Sequence, residues 1–357
     1  MGFIYIGTYT KSGGKGIYFA RFDEAGGRVA DLRLAAPAVN PSFLVVHPSR
    51  RFLFAASELD CYNQTKSGSI SAFAIDWESG ELMPLNEVSS HGAWPCHLAA
   101  DASGQNILAT NYGGGSMVVL PVKQNGFVGE ISTIIQHAGS SVHPTRQQKP
   151  HPHSVALSPD NRFALVPDLG LDQVLVYRFD STRGLISANQ PPFARVQPGA
   201  GPRHCAFHPN GRFVYVINEL QSTVTLFVFD AVGGTLKEVQ TIPTLPHNFH
   251  GPSTAAGIQV HPTGRFLYGS NRGHDSIAIF TIQQPTGVLA PLGHVSTQGK
   301  TPRHFEIDPT GAFLIAANQD SNCIVVFRID QKSGDLIPTG QRFEVFSPAC
   351  VKFVALK

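Results

Sequence analysis

Hydrophobic and polar positions along the chain follow a pattern that recurs six times at intervals near 50 residues. In each copy an apolar run of strand length precedes a tight turn, and a second apolar run follows that begins with phenylalanine in five copies. The residue before each turn marks the copy: His47, Asp101, Ser158, His208, His261 and Asp308. The steps between these residues are 54, 57, 50, 53 and 47. A period of this length is typical of propellers and solenoids.

The turns and the runs around them predict four antiparallel strands per copy. Pro-Asn-Gly at 209–211 and Pro-Thr-Gly at 262–264 combine a fixed φ with a permissive glycine, which favours a tight reversal between two strands. A third strand follows with alternating or β-branched residues, as in TVTLFVFD at 223–230, and a glycine turn and a weaker fourth strand complete the unit. Four antiparallel strands are typical of one propeller blade.

The two ends of the chain predict a seventh blade that is split between them. Residues 3–10 (FIYIGTYT) match a second strand and residues 16–23 (GIYFARFD) a third, with no first strand before them, whereas residues 347–356 (SPACVKFVAL) resemble the missing first strand. Pairing of the two ends would close the ring and leave no free sheet edge. We therefore expect an all-β, seven-bladed β-propeller that forms a single domain over residues 1–357.

Composition agrees with this fold and excludes several classes of function. The chain has 42% apolar residues, while 35 Gly and 26 Pro leave little room for long helices. A formal charge of +2 gives no reason to expect a nucleic acid or membrane partner. No apolar run is long enough to span a membrane, and Met1 leads straight into a strand without a leader pattern. We expect a soluble, cytoplasmic protein that is a monomer or a weak homodimer.

One mouth of the predicted channel, which we call the rim, collects the candidate functional side chains. Because antiparallel strands begin and end at opposite faces, the start of each first strand and the end of each second strand lie at this mouth. Positions that only hold the fold should look alike, but these gather three arginines, four histidines and two glutamates. They are Arg203, Arg272, Arg303, His97, His153, His204, His304, Glu58 and Glu219. Arginine suits phosphate or carboxylate, and His or Glu exchanges protons near neutral pH.

A structural explanation competes with the functional one at these positions, because charged residues at strand ends are often only solvated. We favour function for Arg203, Glu219 and Arg272, and weigh the two interpretations equally for Glu58. For three histidines we favour hydrogen bonds to the backbone at strand starts: His97, His204 and His304.

Neither a metal nor a cofactor is expected from the sequence. The histidines of HPHS at 151–154 form a His-x-His pair, but no carboxylate at ligand spacing accompanies them. Five cysteines without a CxxC pair argue against a zinc site or a disulfide framework. The longest irregular segment, 137–151, is interpreted as a functional insert or a crossing loop.

Several motifs in order resemble the lactonase family of seven-bladed propellers, which includes cycloisomerase-type 6-phosphogluconolactonases and the fungal carboxymuconate-lactonizing enzyme. They are NPSFLVVHPSRRFLF, GSSVHPTRQQKPHPHSVALSPD, GPRHCAFHPNGRFVYVINEL, GRFLYGSNRGHDSIAIF and TPRHFEIDPTGAFLIAANQ, and the match covers essentially the whole chain. The resemblance implies a hydrolase that opens 6-phosphoglucono-1,5-lactone in the oxidative pentose phosphate pathway. It also implies four catalytic residues: His153, Arg203 of GPRH, Glu219 of NE and Arg272 of SNRG.

A metal-independent mechanism follows as a hypothesis. Arg203, Arg272 and Arg303 would hold the 6-phosphate or the developing oxyanion, since fixed positive charge stabilises charge that grows in the transition state. Only one of Glu219 and His153 can take the proton from water. We favour Glu219 as the base, because a nearby arginine keeps it ionised, and His153 as the acid for the leaving ring oxygen. The other rim candidates are assigned to substrate binding: Arg303, His204, His304, His97 and Glu58.

Two alternatives remain open beside a small anionic lactone as the partner. The same arginines would bind carboxylates, so the enzyme could instead lactonize a carboxymuconate or act on another lactone. A propeller can also be a non-catalytic scaffold whose rim binds a protein or peptide. A charged pocket favours the enzyme, and a large exposed apolar patch favours the scaffold.

Overall fold

Seven four-stranded antiparallel sheets make up the computed structural model, which describes residues 2–355. Apart from one 3-10 helix (Thr10–Ser12), the regular elements in this range are β-strands, so the all-β prediction is confirmed. Blade 1 contains β1 (Gly2–Thr8), β2 (Gly16–Asp23) and β3 (Arg28–Pro37). Blade 2 contains β4 (Pro41–Val46), β5 (Phe52–Ser57), β6 (Ser69–Ile75) and β7 (Leu82–Ser89). Blade 3 contains β8 (Pro95–Ala100), β9 (Asn106–Asn111), β10 (Ser116–Pro121) and β11 (Thr133–Gln136).

The remaining blades repeat this order. Blade 4 contains β12 (Ala156–Leu157), β13 (Phe163–Asp168), β14 (Gln173–Asp180) and β15 (Leu185–Arg195). Blade 5 contains β16 (Pro202–Phe207), β17 (Phe213–Asn218), β18 (Thr223–Asp230) and β19 (Thr235–Pro243). Blade 6 contains β20 (Thr254–Val260), β21 (Phe266–Arg272), β22 (Ser276–Ile282) and β23 (Leu289–Ser296). Blade 7 contains β24 (Pro302–Ile307), β25 (Phe313–Asn318), β26 (Cys323–Ile329) and β27 (Leu336–Glu344). The last strand, β28 (Pro348–Ala355), joins blade 1.

The two ends of the chain close the ring as predicted. Strand β28 pairs antiparallel with β1, with Tyr5 opposite Lys352, and becomes the innermost strand of blade 1. It contacts the innermost strands of blades 7 and 2, β24 and β4. Leu356, the last residue of the predicted segment 347–356, lies outside the described residues, as do Met1 and Lys357. Within the described residues the first strands therefore line the channel all round, and the candidate functional positions lie at or near their starts and at the ends of the second strands.

The phenylalanine that starts the second strand interlocks neighbouring blades. Phe163 of blade 4 packs on Gly234, in the turn between β18 and β19 of blade 5, where an added Cβ would lie 2.2 Å from the ring. Gly234 also has φ of +67°, which disfavours any larger residue. The same contact recurs in the pairs Phe52–Gly126, Phe213–Gly287, Phe266–Gly334 and Phe313–Gly27. The last pair joins blade 7 to blade 1, so the repeated aromatic is explained by the contact between blades.

Three of the residues that mark the repeat also connect successive blades. Nε2 of these histidines lies 2.8–2.9 Å from a glycine carbonyl in the equivalent turn of the next blade, in the pairs His47–Gly104, His208–Gly264 and His261–Gly311. In two other copies an aspartate takes this position and accepts a hydrogen bond from the backbone of its own turn: Asn106 N to Asp101, 2.8 Å, and Phe313 N to Asp308, 2.7 Å. The marker residues therefore have a structural role.

Blade 4 departs from the predicted regular first strand. Its first strand is limited to Ala156–Leu157, and before it Pro152 pairs with Asp168 as an isolated bridge. Asp168, at the end of β13, accepts a hydrogen bond from His151 N through its side chain (2.7 Å), and His153 N donates to Pro167 O (3.0 Å). Irregular backbone pairing and one side-chain bond from Asp168 thus fix the chain at the point where His153 reaches the channel.

Candidate active site

Glu219 lies at the centre of a buried cluster of charges on the rim. It follows directly after β17, and its side chain is 4% exposed. One carboxylate oxygen, Oε2, lies 3.0 Å from Arg203 Nε and 2.9 Å from Arg272 Nη2. The other, Oε1, accepts a hydrogen bond of 2.7 Å from Arg146 Nη2. We call these four residues and His153 the site cluster.

Blade 6 fixes the two arginines that flank Oε2. Arg203 sits at a β-bulge between Pro202 and His204, and a bulge lets two adjacent side chains face the same side of the sheet. Its Nη1 donates to Ala256 O at 2.8 Å, and Arg272 Nη2 donates to Ala255 O at 3.1 Å. Both acceptors lie on β20, so one innermost strand holds the two guanidinium groups on either side of the carboxylate.

His153 is the histidine of the site cluster. Its Nε2 lies 3.9 Å from Glu219 Oε2, and its Nδ1 lies 3.7 Å from Cys96 Sγ. The ring packs edge-on against Tyr112, with 5.1 Å between centroids. Burial, and then the charge of Arg203, lower the pKa of His153 well below its ordinary value, although Glu219 opposes the shift. The imidazole is therefore neutral at neutral pH and can accept a proton.

The rim carries more positive than negative charge, and its charged groups shift the pKa values of one another. Burial alone would raise the pKa of Glu219, but Arg272 and Arg203 lower it far below its ordinary value, so the carboxylate is a very weak base. Burial, and then Arg272 and Arg303, lower the pKa of Arg203 to about 9. Four arginines (including Arg146) face two glutamates (including Glu58), which gives a net charge of +2. This excess suits a dianion.

Arg303 and Glu58 occupy the adjoining part of the rim. Their closest charged atoms are 4.0 Å apart. Tyr9 links them, because its hydroxyl donates to Glu58 Oε2 at 2.7 Å and its ring lies 5.2 Å from the guanidinium carbon of Arg303. Like-charge repulsion from Arg303 contributes to the lowered pKa values of Arg203 and His153. Arg303 and Glu58, which were predicted from the sequence as rim residues, thus lie near the site cluster and face each other.

The other three predicted histidines form a layer around Phe43 in the channel. The ring centroids of His97, His304 and His204 lie 4.0, 5.7 and 6.2 Å from that of Phe43. His97 Nδ1 accepts from Val155 N at 3.4 Å, and His304 Nδ1 accepts from Val351 N at 3.3 Å. These bonds to the backbone of the next blade agree with the structural interpretation for His97 and His304, whereas the ring nitrogens of His204 lie 3.1–3.3 Å from Arg203 Nη1. Burial first lowers the pKa of all three, so they are neutral at neutral pH.

Three further residues of the site had not been identified from the sequence. Arg146 belongs to the site cluster, and the Tyr112 hydroxyl contacts it at 3.2 Å from Nη2. Tyr9 holds Glu58 and Arg303. The only sequence signal was the unusual length of the 137–151 segment, which carries Arg146. Tyr112 directly follows Asn111, the last residue of β9, and therefore lies at the rim. No role was predicted for Tyr112 from the sequence.

Comparison with known proteins identifies the family to which the chain belongs. Residues 3–353 match the model of the family described as Lactonase, 7-bladed beta-propeller. This chain belongs to that lactonase family. A 6-phosphogluconolactonase of Bacillus subtilis is 36% identical over 301 residues, which cover 84% of this chain and 83% of the relative. A 6-phosphogluconolactonase of Formosa agariphila is 34% identical over 307 residues, with 85% of both chains covered.

A solved structure resembles this lactonase-family chain over its whole length. The periplasmic gluconolactonase of Pseudomonas aeruginosa is 34% identical and has a TM-score of 0.94, with 100% of this chain and 99% of that chain covered. The names of the two kinds of relative differ in whether the substrate carries a phosphate.

No helix within residues 2–355 is long and apolar enough to cross a membrane.

Proposed function

We propose that this protein is a 6-phosphogluconolactonase, which hydrolyses 6-phospho-D-glucono-1,5-lactone to 6-phosphogluconate in the oxidative pentose phosphate pathway of the cytoplasm. The observation that carries the proposal is the juxtaposition of a neutral imidazole, His153, with arginines whose net charge is not balanced by Glu219 and Glu58. Such a site combines a proton acceptor for water with fixed positive charge for a phosphate and an oxyanion.

The assignment of base and acid that we favoured from the sequence is revised in this proposal. Glu219 is ion-paired to three arginines, which makes it a poor proton acceptor. His153 is neutral and carries Nε2 toward the same carboxylate at 3.9 Å. We therefore assign His153 as the general base and Glu219 as the residue that orients it and stabilises the imidazolium that forms.

The reaction then needs only groups of the site cluster. Water attacks the lactone carbonyl as His153 takes its proton, and the carbonyl oxygen becomes an oxyanion beside Arg203. The bond between the carbonyl carbon and the ring oxygen breaks, and the ring oxygen takes the proton from the imidazolium. The guanidinium groups of Arg203 and Arg272, held beside Glu219 Oε2 at 3.0 and 2.9 Å, supply fixed positive charge for this oxyanion.

One rival substrate is favoured by a specific finding. The structural relative from Pseudomonas aeruginosa is a periplasmic gluconolactonase, whose name carries no phosphate. The net positive charge of the rim favours the phosphorylated lactone for this chain. The burial of Glu219 and Arg203 also favours an enzyme over a scaffold, because a partner protein would not reach side chains that are 3–4% exposed.

Hydrolysis of freshly generated 6-phosphogluconolactone by the purified protein tests the proposal. We expect a rate above the spontaneous background that falls by about 10²–10⁴ in His153→Asn, the range for a general base. Unphosphorylated gluconolactone is measured in parallel. A wild-type rate equal to background on both lactones would contradict the proposal, and carboxylate-bearing lactones would be tested next.

A further inference from the structure

We propose that Arg146, on the 137–151 insert, is the specificity-determining residue that selects a lactone with a phosphate on C6. The inference rests on the proposed lactone hydrolysis and deepens it, because it assigns the phosphate to one side chain. The strand-borne arginines, Arg203 and Arg272, are left to stabilise the oxyanion. Arg146 comes from outside the repeat, so it is the arginine whose presence does not follow from the propeller itself.

Exposure separates Arg146 from the other arginines around Glu219. Its side chain is 38% exposed, against 3% for Arg203 and 15% for Arg272. The lactone carbonyl has to approach His153, whose side chain is 7% exposed. C6 is attached on the far side of the ring oxygen from the carbonyl carbon, so its phosphate is directed away from the buried end of the site. The guanidinium at the exposed end is that of Arg146.

The insert holds Arg146 in place through its neighbour Gln147. This side chain is fully buried, and its Nε2 donates to Leu169 O at 2.8 Å and to Asp172 Oδ1 at 2.7 Å. At the start of the insert, His137 Nδ1 lies 2.7 Å from Asp168 Oδ2. Two buried contacts to blade 4 therefore fix the segment, and a preorganised arginine binds an anion without a large loss of conformational entropy.

The guanidinium of Arg146 has donors to spare. Both of its hydrogen bonds within residues 2–355, to Glu219 Oε1 and to the Tyr112 hydroxyl, use Nη2. Nε and Nη1 remain as donors for phosphate oxygens, and the charge of the guanidinium strengthens such hydrogen bonds. Arg303 is less suited, because its side chain is 18% exposed and thus less accessible than that of Arg146.

The test compares kcat/KM for 6-phosphogluconolactone and for gluconolactone in the wild type, R146Q, R146K and R303Q. Loss of charge-assisted hydrogen bonds should lower kcat/KM of R146Q for the phosphorylated lactone roughly 10- to 100-fold, with a far smaller change for gluconolactone. R146K should retain an intermediate preference. Inorganic phosphate should inhibit gluconolactone hydrolysis by the wild type more strongly than by R146Q.

Arg162→Gln is the matched control. Arg162 is also ion-paired at 2.7 Å, to Asp160, but lies in the turn at the opposite end of the first strand from the rim. R162Q removes the same charge and should keep the substrate preference of the wild type. Thermal unfolding of both variants checks that they are folded.

The outcomes separate the inference from the proposed function. An active wild type whose preference for phosphate is unchanged in R146Q, or is lost in R303Q instead, would overturn the inference alone. A wild type that prefers unphosphorylated gluconolactone would also overturn it. A wild type that hydrolyses neither lactone would refute the proposed function, and the inference with it.

Discussion

Glu219→Gln distinguishes the two possible roles of this carboxylate. The substitution keeps the shape of the side chain and removes the charge that faces Arg203, Arg272 and Arg146 at 2.7–3.0 Å. If Glu219 stabilises the imidazolium of His153, the variant loses an interaction between charges 3.9 Å apart. Two unit charges about 4 Å apart interact by about 4 kcal/mol at an effective dielectric constant of about 20, which corresponds to about 10³-fold in kcat.

The pH profile of kcat/KM distinguishes the two possible roles of Glu219. Glu219 raises the pKa of His153, while burial and Arg203 lower it. Activity requires the neutral imidazole, so the wild type should lose activity as the pH falls through the lowered pKa, below about 6.5. In E219Q that pKa falls further, and the acid limb should move to lower pH. If Glu219 were the base, its removal would abolish the limb that its own ionisation produces. An acid limb that disappears or moves to higher pH would refute our assignment.

Glu306→Gln is the control for this measurement. Glu306 Oε2 also lies 3.9 Å from a histidine Nε2, that of His304, and accepts a hydrogen bond of 2.9 Å from Lys352. None of the site cluster contacts it within residues 2–355. E306Q should therefore keep the kcat and the acid limb of the wild type. Stability is measured beside activity, because E219Q leaves Arg203 buried without its ion pair, which should cost about 3–5 kcal/mol.

Three further predictions concern stability and binding. Burial holds the pKa of four channel histidines below 6.5: His97, His153, His204 and His304. The free energy of unfolding should therefore be at its full value above that pH and fall on acidification, by up to about 5 kcal/mol per pH unit. Equal urea midpoints at pH 7.5 and 5.5 would contradict this. Gly234→Ala should cost about 1–3 kcal/mol more than Gly340→Ala, since both have positive φ but only the former meets a ring; equal melting temperatures would argue against the interlock. Tyr112→Phe should raise KM for the phosphorylated lactone roughly 2- to 10-fold with kcat retained, as it removes the hydroxyl beside Arg146; a fall in kcat alone would speak for another role.

The fold could be predicted from the sequence because each copy of its repeat is recognisable from local patterns of residues. Each turn, each apolar run and the split blade are local signals, and the closure by β28 follows from the strand that is missing before β1. The contacts between blades could not be predicted, since they join residues in different copies. Phe163 was recognised as a repeated aromatic, but its partner Gly234 is a turn residue of the next blade, and no spacing within one copy connects them.

The site was predicted as far as the repeat register extends. Arg203 lies at the start of the first strand of blade 5, and Glu219 and Arg272 lie at the ends of the second strands of blades 5 and 6, so the register alone brings all three to one mouth of the channel. The register does not report burial, and burial is the reason for exchanging the roles of Glu219 and His153 in the proposed mechanism. It also does not include segments outside the repeat, and Arg146 lies in such a segment.

The position of Arg146 suggests how one propeller rim can serve different lactones. In the proposed mechanism the buried part of the site cluster, with His153 and Glu219 at 3.9 Å, meets the carbonyl that every lactone shares. The exposed part is set by the 137–151 insert, which Gln147 attaches to blade 4 and which can vary without altering a strand. Chemistry common to lactones would then depend on the blades, and the choice between a phosphorylated and an unphosphorylated ring on the insert.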